Sequence, residues 1–221
     1  MPLIEKPKTA VMIVAHPDDE TLWAGGTVLR NPAWNWYIIS LCRSSDQERA
    51  PRFYKVLQSL GAQGCMGDLD DGPDQTPLSD KLVQEAILDL LPCKKFDLLI
   101  THNPAGEYTR HRRHEEAGCA AITLWHNGCI HADEFWTFAY EDGGRKYRPR
   151  PIAHAHAHHP LPEQIWQVKY DLITTTYGFH ADGFEAETTP RTEAFWQFQH
   201  PTDARLWLDS EVFHRESTRS V

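Results

Sequence analysis

The longest unbroken apolar run in this chain is Ala10–Ala15, far short of the ~20 residues a membrane-spanning helix needs. The opening residues, Met-Pro-Leu-Ile-Glu-Lys-Pro-Lys, have neither the apolar stretch nor the small-residue cleavage site of an export signal. The expectation is a cytoplasmic protein without a membrane span. Cysteine is sparse: Cys42, Cys65, Cys93, Cys119 and Cys129 are five in number with no C-x-x-C spacing, which counts against a disulfide framework or zinc knuckle and predicts reduced thiols. Basic charge is also short. Lys and Arg total 22 against 31 Asp and Glu, a net −9, which disfavours nucleic acid and anionic membrane surfaces as partners. There is no G-x-G-x-x-G after the first strand, no P-loop and no G-x-S-x-G, so the common signatures of dinucleotide binding, phosphate cradling and serine hydrolysis are missing. A small-molecule substrate is left as the default.

What the chain does have is alternation. Its 221 residues, 41% hydrophobic and 24% charged, suit a single globular domain over 1–221. Ala10–Ala15 reads as a buried strand, and a helix follows from about Glu20 to Arg30. Trp36–Leu41 is a second strand, with a helix after it marked by Phe53, Val56, Leu57 and Leu60 and closed by Gly61. A weak strand near Cys65 precedes the acidic loop Asp68–Asp74, and Leu82 to Leu91 traces another helix. Asp97–Thr101 is a strand, about His111 to His126 a helix, and Glu134–Tyr140 and Ile152–His158 read as further strands. The fold class that follows is α/β, a doubly wound, mostly parallel, Rossmann-like sheet with helices on both faces. From Tyr177 onward the periodicity is lost, which predicts an irregular C-terminal wrap.

In such a sheet the ligand site lies beyond the carboxyl ends of the strands. Two loops at those ends carry chemistry. One is Ala15-His16-Pro17-Asp18-Asp19-Glu20; the other runs from Thr101-His102-Asn103 through Gly106-Glu107-Tyr108 to His111-Arg112-Arg113-His114. His111 and His114 are spaced i, i+3 and share one side of a helical turn. A catalytic zinc site takes three His, Asp or Glu ligands and keeps one position open, and the two loops together can supply them. Each also has a plainer reading: Asp18 or Asp19 capping a helix whose dipole Glu20 complements, and a solvated Arg/His/Glu helix start. Their joint placement after parallel strands favours the site.

A strand followed by AHPDDE, then GEY and HxxH, resembles the LmbE-like (PIG-L) family of zinc-dependent N-acetylglucosamine deacetylases over most of the chain. The resemblance implies one zinc ion held by His16, Asp19 and His114. It implies Asp18 as general base and His111 as acid or stabiliser of the tetrahedral intermediate. It also implies that Arg49, Asp71 of the LDDG segment and Tyr108 face the substrate, an acetylated amino-sugar conjugate, and it finds a family lysine in Lys169. The family's second motif usually reads HPDH; here Arg113 stands where the acid would be.

His102 is expected to border the pocket, and His111 to act in its protonated form. His154, His156 and His158 would share one face of a strand as a wet row, a pocket wall or a second metal site. Arg110, Arg112 and Arg113 form either a solvated face or a patch holding a substrate carboxylate or phosphate. The rival readings are a cofactor-binding Rossmann-like domain without hydrolytic activity and a catalytically degenerate metal-binding protein. The oligomeric state, a homo-oligomer included, is left open.

Overall fold

The computed structural model describes residues 6–108 and 111–218, the last eight by backbone alone. Strand β1 (Thr9–Val14) is buried along nearly its whole length because both faces are covered. Ala10, Met12 and Val14 point into one core; Val11 and Ile13 point into the other. Each fully buried side chain of this size stabilises the fold by about 1.5–3 kcal/mol. The alternation sorts the helices. Those on the first face are α1 (Asp19–Arg30) and α2 (Arg49–Leu60), and those on the second are α3 (Asp80–Leu90) and α4 (Arg112–His126). Gly61, at φ 66°, supplies the left-handed residue that ends α2. The Ser79 side chain accepts from the Leu82 N–H and caps α3.

With β2 (Asn35–Cys42), β3 (Gln63–Leu69), β4 (Lys95–Thr101) and β5 (His131–Phe138), β1 forms a parallel sheet in the order β3-β2-β1-β4-β5. Strand order reverses between β1 and β4, the point where an open α/β sheet leaves a crevice. Both motif loops leave from these two strands. Gly118 of α4 matters to their geometry: a Cβ there would lie 2.5 Å from the His102 carbonyl oxygen, so glycine lets the helix sit directly on the loop after β4.

The C-terminal third departs from expectation. Of the segment predicted as one strand over Ile152–His158, only its last two residues are in a strand, β8 (Ala157–Pro160); β7 (Arg150–Pro151), which pairs with β6 (Tyr140–Glu141), ends before it, and a turn lies between. His154 therefore lies outside any strand, and no three-histidine row exists. The chain continues through α5 (Glu163–Asp171) into a π-helical turn at Leu172–Thr176 and then α6 (Phe184–Thr188). The predicted irregular wrap contains β9 (Thr192–Phe198), which joins the sheet antiparallel between β5 and β8, and α7 (Pro201–Thr218). Its pattern is hidden because β9 alternates aromatics on both buried faces. Phe195 lies in one core, while Trp196 and Phe198 meet Trp207 of α7.

Glu193 of β9 and Lys169 of α5 form a fully buried pair, with Nζ 2.6 Å from Oε1. Glu193 also accepts from the backbone of Gly26 and Thr27 and from the Thr27 hydroxyl, each at 2.7 Å. This pair ties β9, α5 and α1 together. Lys169 is thus a structural cation with no access to a pocket. All five cysteines are free. Among the described residues, no helix is long and apolar enough to cross a membrane.

Candidate metal centre

At the reversal point, three potential ligand atoms form a nearly equilateral triangle. His16 Nδ1 is 3.2 Å from Asp19 Oδ2 and 3.3 Å from His114 Nε2, and His114 Nε2 is 3.4 Å from Asp19 Oδ2. Tetrahedral zinc with bonds of ~2.0–2.1 Å to nitrogen and oxygen separates its ligand atoms by about 3.3 Å. The donor set and its spacing fit that ion.

Each candidate ligand is oriented from behind. The far nitrogen of His16, Nε2, meets Asp71 Oδ1 at 3.1 Å. The far nitrogen of His114, Nδ1, meets Glu107 Oε2 at 2.6 Å. A carboxylate on the distal nitrogen fixes the tautomer and turns the other nitrogen's lone pair toward the metal position. Asp19 is held likewise: Oδ1 accepts from Trp23 Nε1 at 3.2 Å, and Oδ2 from the His16 backbone N–H at 2.8 Å. Burial would raise the Asp19 carboxyl, but the imidazoles of His114 and His102 outweigh it and hold it well below the usual range.

Asp18 sits at the N-cap position of α1, but its side chain does not cap the helix. Its backbone has φ 124° and its side chain makes no capping bond; the carboxylate turns out of the helix to meet Arg49 Nη1 at 3.0 Å. A non-glycine residue at such a φ is strained and is held there by its surroundings. Here Glu20 Oε2 accepts the Asp18 N–H at 3.0 Å, and Tyr177 donates to Glu20 Oε1 at 2.7 Å. Burial and the neighbouring Asp19 charge lift the Asp18 carboxyl well above its ordinary value, against the pull of Arg49.

Asp18, Asp19, His16, Arg49, Tyr108 and His111 share one cavity of about 130 Å³, which Arg43, Phe184 and Glu185 also line. His111 packs edge-on against His16, with ring centroids 4.4 Å apart, and stacks on His114 at 4.5 Å. Its Nδ1 is buried without a partner among the described residues. Burial, then the two imidazoles beside it, push its pKa down to about 3. Its surroundings therefore disfavour the protonated form expected for His111.

Three sequence expectations change. His102 does not border the pocket. It is fully buried, accepts the Ala15 N–H on Nε2 at 3.0 Å, and meets Glu107 with Nδ1 at 3.0 Å, so it has no lone pair left for a metal or substrate. Asp71 lines the cavity but is not free for substrate: Oδ1 is used by His16 and Gln75, and Oδ2 takes the fork of Arg43 at 2.7 and 3.0 Å. Arg113, a candidate anion holder, is 2% exposed and its donors go to protein acceptors, among them the carbonyls of Asp70 and Thr76. Arg110 lies outside the described residues.

Glu107 was read only as part of GEY. It is fully buried between His102 and His114, which overcome its burial and bring its pKa down to about 2. Arg43 was missed altogether, although it follows the C-terminal end of β2 and the strand-end rule reaches it. A larger cavity of about 340 Å³ opens beyond Tyr108, with Trp196, Trp207 and His154 in its wall. Its Glu141 is already engaged by Tyr147 and Arg150.

The overall architecture has solved counterparts. An N,N'-diacetylchitobiose deacetylase from Pyrococcus horikoshii superposes with a TM-score of 0.65 at 13% identity, over 88% of this chain and 85% of that one. The zinc-inhibited form of teicoplanin deacetylase Orf2 gives 0.60 at 12%, over 86% and 97%. The chain shares the fold of these two proteins. The fold is not confined to deacetylases, since the 4-carboxy-2-hydroxymuconate hydratase of Pseudomonas putida superposes at 0.57 with 13% identity, over 86% and 95%. No family model matches the chain. An uncharacterized protein of Acanthamoeba polyphaga mimivirus is 28% identical over 118 residues, 46% of this chain. The match spans about half, 52%, of that relative.

Proposed function

We propose that this protein is a zinc-dependent N-deacetylase that removes an acetyl group from a small amino-sugar conjugate. The observation that carries the reading is the triangle of His16 Nδ1, Asp19 Oδ2 and His114 Nε2, with edges of 3.2–3.4 Å, opening on a cavity that also holds Asp18. The deacetylase neighbours support it at the level of fold. A zinc ion in such a set polarises an acyl carbonyl and lowers the pKa of water from 15.7 to about 7.

The chain's own residues supply the rest. Asp18 is the base: its carboxyl faces the cavity, is excluded from the ligand triangle and is steered by Arg49, and a cation held beside it would favour the ionised form that burial opposes. His111 would contribute a neutral imidazole beside the reacting carbonyl, donating a hydrogen bond to the developing oxyanion, while the proton that Asp18 takes from water passes on to the leaving amine. Tyr108 closes the side wall over both histidines, with its ring 6.1 Å from His111 and 5.5 Å from His114. Arg49, whose guanidinium also lies 4.7 Å over the Phe179 ring, places Asp18 and edges the substrate. The small volume suits an acyl group and its immediate attachment, with the remainder of the conjugate outside.

The test is acetate release from a panel of N-acetylated amino sugars by metal-loaded protein, with hydration of an activated carbon–carbon double bond assayed in parallel. Acetate release supports the reading. Hydration without acetate release replaces it with hydratase chemistry on the same fold, and metal binding without either reaction replaces it with a metal-binding protein.

A further inference from the structure

We propose that Arg113 is a positioning residue for the metal centre: it staples the loop between β3 and α3 to the first turn of α4, and through Asp71 it sets the orientation of His16. The inference rests on the metal reading above. Residues 70–79 form no strand or helix, and 72–77 are all half-buried or exposed. This stretch has little apolar burial to hold it, yet it must keep a carboxylate within hydrogen-bond distance of a candidate ligand.

The hold comes from α4. Arg113 Nε donates to the Asp70 carbonyl at 2.5 Å, and Nη2 donates to the Thr76 carbonyl at 2.8 Å. Nη1 meets Glu116 Oε2 at 2.5 Å, and Glu116 Oε1 accepts the Leu78 N–H at 3.0 Å. One guanidinium and one carboxylate, spaced i, i+3 on a single helical turn, therefore fix positions 70, 76 and 78. Asp71 and Gln75 lie inside that bracket. Gln75 donates to Asp71 Oδ1 at 3.0 Å, Arg43 grips Oδ2, and Oδ1 reaches His16 Nε2 at 3.1 Å.

Arg113 directly precedes His114, so one helical turn places one ligand itself and holds the carboxylate that orients another. The planar fork suits the task because it reaches separate acceptors at fixed angles, which an ammonium cannot do with equal geometry. This accounts for arginine at a position where the resemblance leads one to expect an acid. The carboxylates that orient the ligand histidines come instead from Glu107 and Asp71.

The test uses the full chain, wild type and as Arg113→Met, Arg113→Lys, Asp71→Asn and the two Arg113 variants combined with Asp71→Asn. Zinc affinity is measured by chelator competition, and the visible absorption of the cobalt-loaded protein reports ligand geometry. Arg113→Met is expected to weaken metal binding about 10- to 100-fold and to shift the cobalt bands. Arg113→Lys should recover part of both. Adding Asp71→Asn to Arg113→Met should cost little more, and adding it to Arg113→Lys should remove only what the lysine recovered, because residues acting through one another are not additive. If the Met variant does not fold, the Lys variant and its double carry the comparison. Wild-type affinity and spectrum in a folded Arg113 variant, or fully additive effects with Asp71→Asn, overturns the proposal. Wild-type protein that binds neither zinc nor cobalt overturns the metal reading itself, and this inference with it.

Discussion

The Glu107 carboxylate lies 2.6 Å from His114 Nδ1, which commits that nitrogen and leaves Nε2 directed at Asp19 and His16. The same oxygen reaches His102 Nδ1 at 3.0 Å, and Oε1 accepts the Asn103 N–H at 2.9 Å. A single buried acid therefore couples the loop after β4 to the helix that carries HxxH. Glu107→Gln, close in size but uncharged, should leave the sheet intact and weaken zinc binding about 10- to 100-fold. Chelator competition measures this, and an unchanged affinity would remove Glu107 from the centre.

Mutation should separate Asp18 from the candidate ligands. Asp18→Asn should retain one equivalent of zinc and its thermal transition while turnover falls by about 10²-fold or more. Elemental analysis beside single-turnover rates makes the distinction. Loss of metal together with loss of rate would make Asp18 a ligand and transfer the base to another group.

The buried Lys169–Glu193 pair predicts a large stability effect remote from the chemistry. Lys169→Met leaves Glu193 without its cation in a dry site, and removing one partner of such a pair costs about 3–5 kcal/mol. Urea denaturation should show the loss with little change in zinc affinity. A loss under 1 kcal/mol would mean that water or another cation reaches Glu193.

Asp97 ties the start of β1 to β4, accepting from the Thr9 N–H at 2.6 Å and the Thr9 hydroxyl at 2.8 Å. These bonds, the backbone one foremost, hold its pKa below the ordinary aspartate value of 3.8. A carboxyl depressed in the folded state adds stability that is fully present above the unfolded value and is lost as pH falls through the folded one. The Asp97 contribution should thus disappear below about pH 4. Asp97→Asn should lower stability at neutral pH and flatten that acid limb in denaturation curves collected at several pH values; an identical limb would show that other carboxylates govern it.

Much of the architecture and the outline of the site could be read from the residues. Strands buried on both faces announce themselves as β-branched runs, and AHPDDE and HxxH fall where a parallel sheet ends. The parts that were hidden depend on contacts far apart in sequence. Nothing local says that Arg113 reaches back 43 residues to Asp70, or that Asp71 is consumed by His16 and Arg43. His102 looks exposed in a His-Asn-Pro loop but is buried against His114 and Phe138, with Gly118 letting α4 lie close on that loop. The lowered pKa of His111 comes from its burial and then from two rings packed beside it, one of them from the loop after β1. In β9 the aromatics on both faces erase the two-residue period, and only its partners β5 and β8 make it recognisable as a strand.

The most direct test of the central claim is a metal titration read by acetate release. Protein stripped with chelator is titrated with zinc while hydrolysis of an N-acetylated amino sugar is followed, for wild type and for His114→Ala. Activity that is absent at the start, rises to a maximum at one equivalent, and fails to appear in His114→Ala is the predicted result. Acetate release that persists in the stripped protein, or that His114→Ala restores to wild-type level at one equivalent, would contradict a zinc-dependent deacetylase built on His16, Asp19 and His114.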